Sequence, residues 1–75
     1  MKIQYDADAD ALYLSLGDEA PDGVIEVTEG VNLDTTDAGR LVGIEILDAS
    51  SKVDLKTLLS YVLELDPAGL GRKAA

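Results

Sequence analysis

The chain has 75 residues, a net charge of −9 and neither cysteine nor histidine. That is the length of one domain, near the lower size at which a lone hydrophobic core holds a fold, and at 47% hydrophobic and 28% charged residues the composition is globular rather than disordered. The missing cysteine excludes disulfide staples, thiolate metal sites and a cysteine nucleophile, and the missing histidine removes the usual neutral-pH base and the commonest zinc ligand.

In chain order, Lys2-Ile3-Gln4-Tyr5-Asp6 alternates with Ile3 and Tyr5 on one side, and reads as a short strand. Asp6 to Asp10 reads as a turn, because aspartate side chains bond their own backbone and compete with a ladder. Ala11 to Leu16 is a second strand, with Leu12, Leu14 and Leu16 on one face and Tyr13 on the other. Gly17 to Gly23 is a glycine-bounded loop broken by Pro21. Val24 to Asp34 is expected as one long third strand, bent or bulged at Glu29-Gly30, where the acid would otherwise fall on the apolar face. Asp37-Ala38-Gly39 is a tight hairpin connection with Gly39 in the left-handed position. Leu41 to Asp48 is the fourth strand and the stretch around which the others are organised, with Val42, Ile44 and Ile46 inward.

Ser50 or Ser51 is the expected helix N-cap, with Asp54 three residues after Ser51 in the manner of a capping box. Leu55, Leu58, Leu59, Val62 and Leu63 then fall on one helical stripe, which Asp66-Pro67 ends. The expected architecture is α+β: a four-stranded antiparallel meander with one C-terminal helix packed on one face, residues 1–66 forming the domain and 67–75 a flexible tail. Tyr13, Leu41 and Leu47 lie on the sheet face away from that helix, and an open meander leaves two unpaired edges. Those three residues are therefore the expected self-association surface, with a homodimer the first expectation.

Charge is one-sided. Residues 1–37 carry ten acids against Lys2 alone, while residues 38–75 carry five acids and five bases. A field of that sign repels phosphate backbones and disfavours direct nucleic-acid binding, while it steers a basic protein toward the N-terminal half. Asp6, Asp8, Asp10, Asp18 and Glu19 are the residues expected to meet such a partner. Lys2 leads directly into an alternating segment, and no apolar run approaches membrane-spanning length, so the expectation is a soluble, cytoplasmic protein with no membrane contact.

One resemblance bears on the fold. Tyr5-Asp6, then Ala9-Asp10-Ala11-Leu12-Tyr13-Leu14 and Leu16, then Gly30-Val31-Asn32-Leu33-Asp34, Gly39, and Val42-Gly43-Ile44-Glu45-Ile46-Leu47-Asp48-Ala49-Ser50, in this order and spacing, resemble domain-of-unknown-function family 2283. These are very small prokaryotic proteins, and the resemblance covers roughly residues 1–51. It implies no activity, cofactor or catalytic residue.

The chemistry available to the side chains is correspondingly thin. Asp6, Asp8 and Asp10 have the spacing of the first three ligands of a calcium loop, but Ala11 stands where the sharp-turn glycine belongs and Gly17 where the bidentate glutamate belongs. They are weak metal candidates, and a solvated Asx turn explains them better. Glu45 and Asp48 are the most interesting carboxylate pair, yet Glu45 alternates outward and Asp48 suits the end of a strand and the start of a helix. Ser15, Ser50, Ser51 and Ser60 have no histidine to activate them. No catalytic residue and no cofactor are assigned. The leading expectation is a non-catalytic, self-associating interaction module, in one version antitoxin-like, masking a basic partner. A metal-assisted or carboxylate hydrolase with a site at a subunit interface, using Asp6, Asp8, Asp10 or Glu45, is the alternative from another class; a purely structural homo-oligomer is the third.

Overall fold

A computed structural model describes residues 1–58 together with Ser60 and Glu64. Among these residues five strands and two short helices follow one another: β1 (Lys2–Asp6), β2 (Ala11–Ser15), β3 (Gly23–Thr28), β4 (Val31–Thr35), β5 (Leu41–Leu47), α1 (Ala49–Lys52) and α2 (Leu55–Leu58). The chain is α+β, and all strand pairings are antiparallel.

Two expectations about the sheet are corrected. The single long strand over residues 24–34 is a hairpin, β3 against β4, with Glu29 and Gly30 at its tip between the paired Thr28 and Val31. Gly30 has φ 75°, a conformation that a side chain at this position would strain. Reversing the chain there carries Glu29 off the apolar face, which is the conflict the sequence had signalled; a full reversal resolves it where only a bend was expected. The register does slip, between Glu26 and Thr28, so the bulge sits at Val27. Nor is the sheet a meander. Its strand order is β1-β2-β5-β4-β3, so β5 is central and β2 pairs with the last strand instead of the next. The loop after β2 crosses one end of the sheet, held by the Leu16 and Gly17 N–H groups donating to the Val42 carbonyl at 2.8 and 3.2 Å.

Period-two alternation turns this order into rows. Ile3, Leu14, Ile44, Leu33 and Ile25 pair in sequence across all five strands, and Tyr5, Leu12, Ile46 and Val31 form a second row on the same face. The opposite face carries Gln4, Tyr13, Glu45, Asn32 and Glu26 in one row and Lys2, Ser15, Gly43, Asp34 and Val24 in the next. One face is thus free of charge; the other is polar. Among the described residues, Leu12, Val42 and Ala49 are the buried apolar ones, and Leu12 is the largest that is fully buried, at 1% exposure.

The expected single helix is also corrected. Asp48, in the left-handed region at φ 54°, is the only residue between β5 and α1. Helix α1 begins at Ala49, before either serine, and ends where the β-branched Val53 takes an extended conformation. Asp54 starts the next helix: its Oδ1 accepts the Lys56 N–H at 3.0 Å, the bond of an N-cap and not of a capping-box third residue. Leu55 and Leu58 of α2 stand around one apolar hollow with Ile3, Tyr5 and Leu12, which places this helix over the apolar face at its β1 end. The expected stripe at Leu59, Val62 and Leu63, the stop at Asp66-Pro67 and the tail at 67–75 lie outside the described residues. No described helix is long and apolar enough to cross a membrane.

Candidate functional site

The charged and polar side chains fall into three groups. The first gathers at the β1–β2 turn. Asp6 Oδ1 accepts the N–H groups of Asp8 and Ala9 at 3.0 and 3.3 Å, an Asx turn that folds the hairpin tip. Asp10, at φ 52°, has a different task. Its Oδ1 accepts the Tyr5 hydroxyl at 2.7 Å and the Ser50 N–H at 3.0 Å; its Oδ2 accepts the Ser50 hydroxyl at 2.7 Å. Its backbone carbonyl accepts the Ala49 N–H at 2.9 Å. Asp48, the residue in the N-cap position, makes no side-chain cap bond. The first-turn donors of α1 are therefore satisfied from forty residues away in the chain. The hydroxyls of Tyr5 and Ser50 hold the Asp10 carboxyl below the usual aspartate range, with Lys52 adding a favourable charge. The same bond, with the negative charges of Asp10 and Asp6, pushes the Tyr5 phenol up.

The second group is the polar face. The Tyr13 hydroxyl donates to Asp34 Oδ2 at 2.6 Å, and Asn32 Nδ2 donates to Glu45 Oε1 at 3.1 Å. Tyr13 is on β2 and Asp34 on β4, with β5 between them, so the ring crosses the central strand. It can do so because residue 43 is glycine: a Cβ there would lie 1.9 Å from the Tyr13 hydroxyl oxygen and 2.4 Å from Cζ. The bond to Asp34 raises the Tyr13 pKa, so the phenol is protonated at neutral pH and acts as a donor, not as a base or nucleophile. Gly43 within β5 was the sequence signal for this close approach. Nothing local signals the Asp10–Ser50 bond.

The third group is the Gly17–Gly23 loop, at the other end of β2 from the Asp6–Asp10 turn. Glu19 Oε1 is 2.8 Å from Arg40 Nε in an exposed ion pair, and Asp22 Oδ2 accepts the Asp37 N–H at 2.9 Å. The five residues expected to meet a basic partner thus divide: Asp6, Asp8 and Asp10 at one end of the sheet, Asp18 and Glu19 at the other. Roughly 17 Å of strand separates the two clusters. Among the described residues, no three histidine, cysteine, aspartate or glutamate side chains are grouped to hold a metal ion. Of the expected self-association residues, Tyr13 is half-buried and occupied with Asp34, while Leu41 and Leu47 are 47% and 41% exposed at opposite ends of β5.

The arrangement defines a class of protein before it defines an activity: a small acidic α+β domain in which several carboxylates, Asp10 and Asp34 among them, are engaged in its own fold. The model of the family described as "Protein of unknown function (DUF2283)" matches residues 2–50, and the chain belongs to that family. The matched span takes in all five strands and ends on Ser50, the residue tied to Asp10. No curated protein and no solved structure matches the chain.

Proposed function

We propose that this protein is a non-catalytic, cytoplasmic interaction module that self-associates and offers an acidic surface to a basic protein partner, in the manner of an antitoxin. The observation that carries this reading is the separation of the two sheet faces. One has two rows of apolar side chains without a charged group and is incompletely covered, Ile3, Tyr5 and Ile25 being 36%, 42% and 54% exposed. Apolar surface of that kind favours association. Acidic side chains lie on the other face and at both sheet ends, where they face solvent and keep the field negative.

The non-catalytic part rests on how the carboxylates are used. Asp10, Asp34 and Glu45 each accept a hydrogen bond that holds two elements of the fold together, and Asp6 closes its own turn. The alternative hydrolase would need some of them free to move protons.

The test is a tagged pull-down from the native cell at low ionic strength, eluted with a salt step. A basic protein recovered at near-stoichiometric amount and released by salt is the expected result. Recovery of nothing but the chain itself would overturn the masking role and leave a structural homo-oligomer.

A further inference from the structure

We propose that β3 is the docking edge for a second copy of this chain, the two β3 strands pairing antiparallel about a twofold axis at Ile25 and joining two sheets into one of ten strands. The proposal rests on the self-association reading above and names its contact.

Among the described residues the sheet has two open edges, β1 and β3, and they are built differently. Strand β1 alternates Lys2, Gln4 and Asp6 on its polar face, and its apolar residues Ile3 and Tyr5 line a hollow together with Leu55 and Leu58 of α2. Charged side chains along an edge, lysine above all, oppose the addition of another strand. Strand β3 reads Gly-Val-Ile-Glu-Val-Thr, all six residues exposed, with Val24 at 64%, Ile25 at 54% and Val27 at 58%. Three β-branched aliphatic residues on an unpaired edge are suited to strand addition, and Glu26 is the one charge among them.

Self-pairing also selects its own register. A twofold axis perpendicular to the sheet keeps each face continuous only when it passes beside a residue and that residue's copy. Centring on Glu26 would set two carboxylates directly opposite, which is destabilising. Centring on Ile25 sets isoleucine against isoleucine and Val24 against Glu26 of the other copy. The row Ile3, Leu14, Ile44, Leu33, Ile25 then runs through the axis into its copy, ten aliphatic residues without a polar interruption. The bulge at Val27 limits the regular ladder to the first half of the strand. The contact is accordingly smaller than about 1,200 Å², the range of weak and transient interfaces, and dissociation falls in the micromolar range or above.

The chain has no cysteine, so a single introduced thiol reports its own neighbours. Cross-strand Cα separations of about 4.5–5.5 Å lie within disulfide reach. Oxidised at concentrations where sedimentation shows the wild type associated, Ile25→Cys is expected to form covalent dimer about tenfold or more faster than Gln4→Cys on the opposite edge, because paired thiols see a high effective concentration. Ile25→Lys is expected to raise the dimer dissociation constant roughly tenfold or more by placing like charges opposite. A wild-type dimer in which Ile25→Cys links no faster than Gln4→Cys overturns the β3 contact and leaves self-association standing. A wild type that sediments as a monomer throughout overturns both.

Discussion

The two ends of the sheet are held by different means. At the β1–β2 end, Leu12 is 1% exposed, Ala49 is fully buried, and Asp10 fastens the hairpin to α1 with both its carboxylate and its carbonyl. At the β3–β4 end, Val24, Ile25 and Val27 are all more than half exposed, and the hairpin is attached to the rest through the β4–β5 ladder and the side chains that cross it. In so small a domain a core does not spread evenly; it sits where a helix can cover the sheet. The consequence is a gradient of local stability, since regions with few buried apolar contacts open at lower free energy. The exposed end is also the end with surface to offer another chain.

The largest test of that gradient is Leu12→Ala. Removing this large, fully buried side chain should cost about 2–5 kcal/mol in denaturant unfolding, whereas Ile25→Thr at the exposed end should stay within roughly 0.5 kcal/mol for the isolated chain. Equal costs would abolish the distinction between the two ends. Next comes Gly43→Ala, which links them. The added Cβ must displace the Tyr13 ring from Asp34, at about 1–3 kcal/mol. In a Tyr13→Ala background most of that penalty should vanish, and additive effects in the double-mutant cycle would refute the steric account.

Tyr13→Phe keeps the ring and removes its hydrogen bond to Asp34; it should cost about 1 kcal/mol. In hydrogen exchange, the amides of β3 should lose protection before those of β2 and β5, and Tyr13→Phe should widen the gap by loosening β4.

The smallest effect is on pH. Because the folded Asp10 carboxyl is held below its ordinary value, its contribution to stability is present above about 3.8 and is lost as pH falls through the lower folded value. Asp10→Asn should thus be less stable than wild type at neutral pH, and the difference should shrink in acid. A difference that is constant with pH would mean that the Asp10 charge does not contribute. Tyr5 and Tyr13 act in the opposite sense. Their raised phenols contribute below about pH 10, and that contribution is lost as the pH climbs through their folded values.

Much of the local structure was legible in the residues. Alternation located β1, β2 and β5, the aspartate-rich turn was read as a turn, and Asp48 was read as the junction of strand and helix. The hairpin at residues 23–35 was not, because Ile25, Val27, Val31 and Leu33 keep a common parity on both sides of Glu29-Gly30. A two-residue turn alone would reverse that parity, as the Thr28–Val31 pair shows, but the bulge at Val27 restores it and sets Ile25 opposite Leu33, so alternation is the same for one bent strand and for this bulged hairpin. The break between the helices carries no comparable signal: Ser51-Lys52-Val53-Asp54 has no proline or glycine to stop a helix, and only the extended backbone at Val53 shows the interruption.

What the sequence determined by itself is therefore the set of faces: period two assigns Leu12, Leu14, Ile44 and Ile46 to one side and Tyr13 and Glu45 to the other, because side-chain direction follows from backbone geometry alone. What only the tertiary structure decided is neighbourhood. That β5 lies between β2 and β4, that Tyr13 reaches Asp34 over Gly43, and that Asp10 caps a helix beginning thirty-nine residues later all depend on long-range pairing. Such pairing is selected by the burial of the whole apolar face, and no short stretch of residues encodes it.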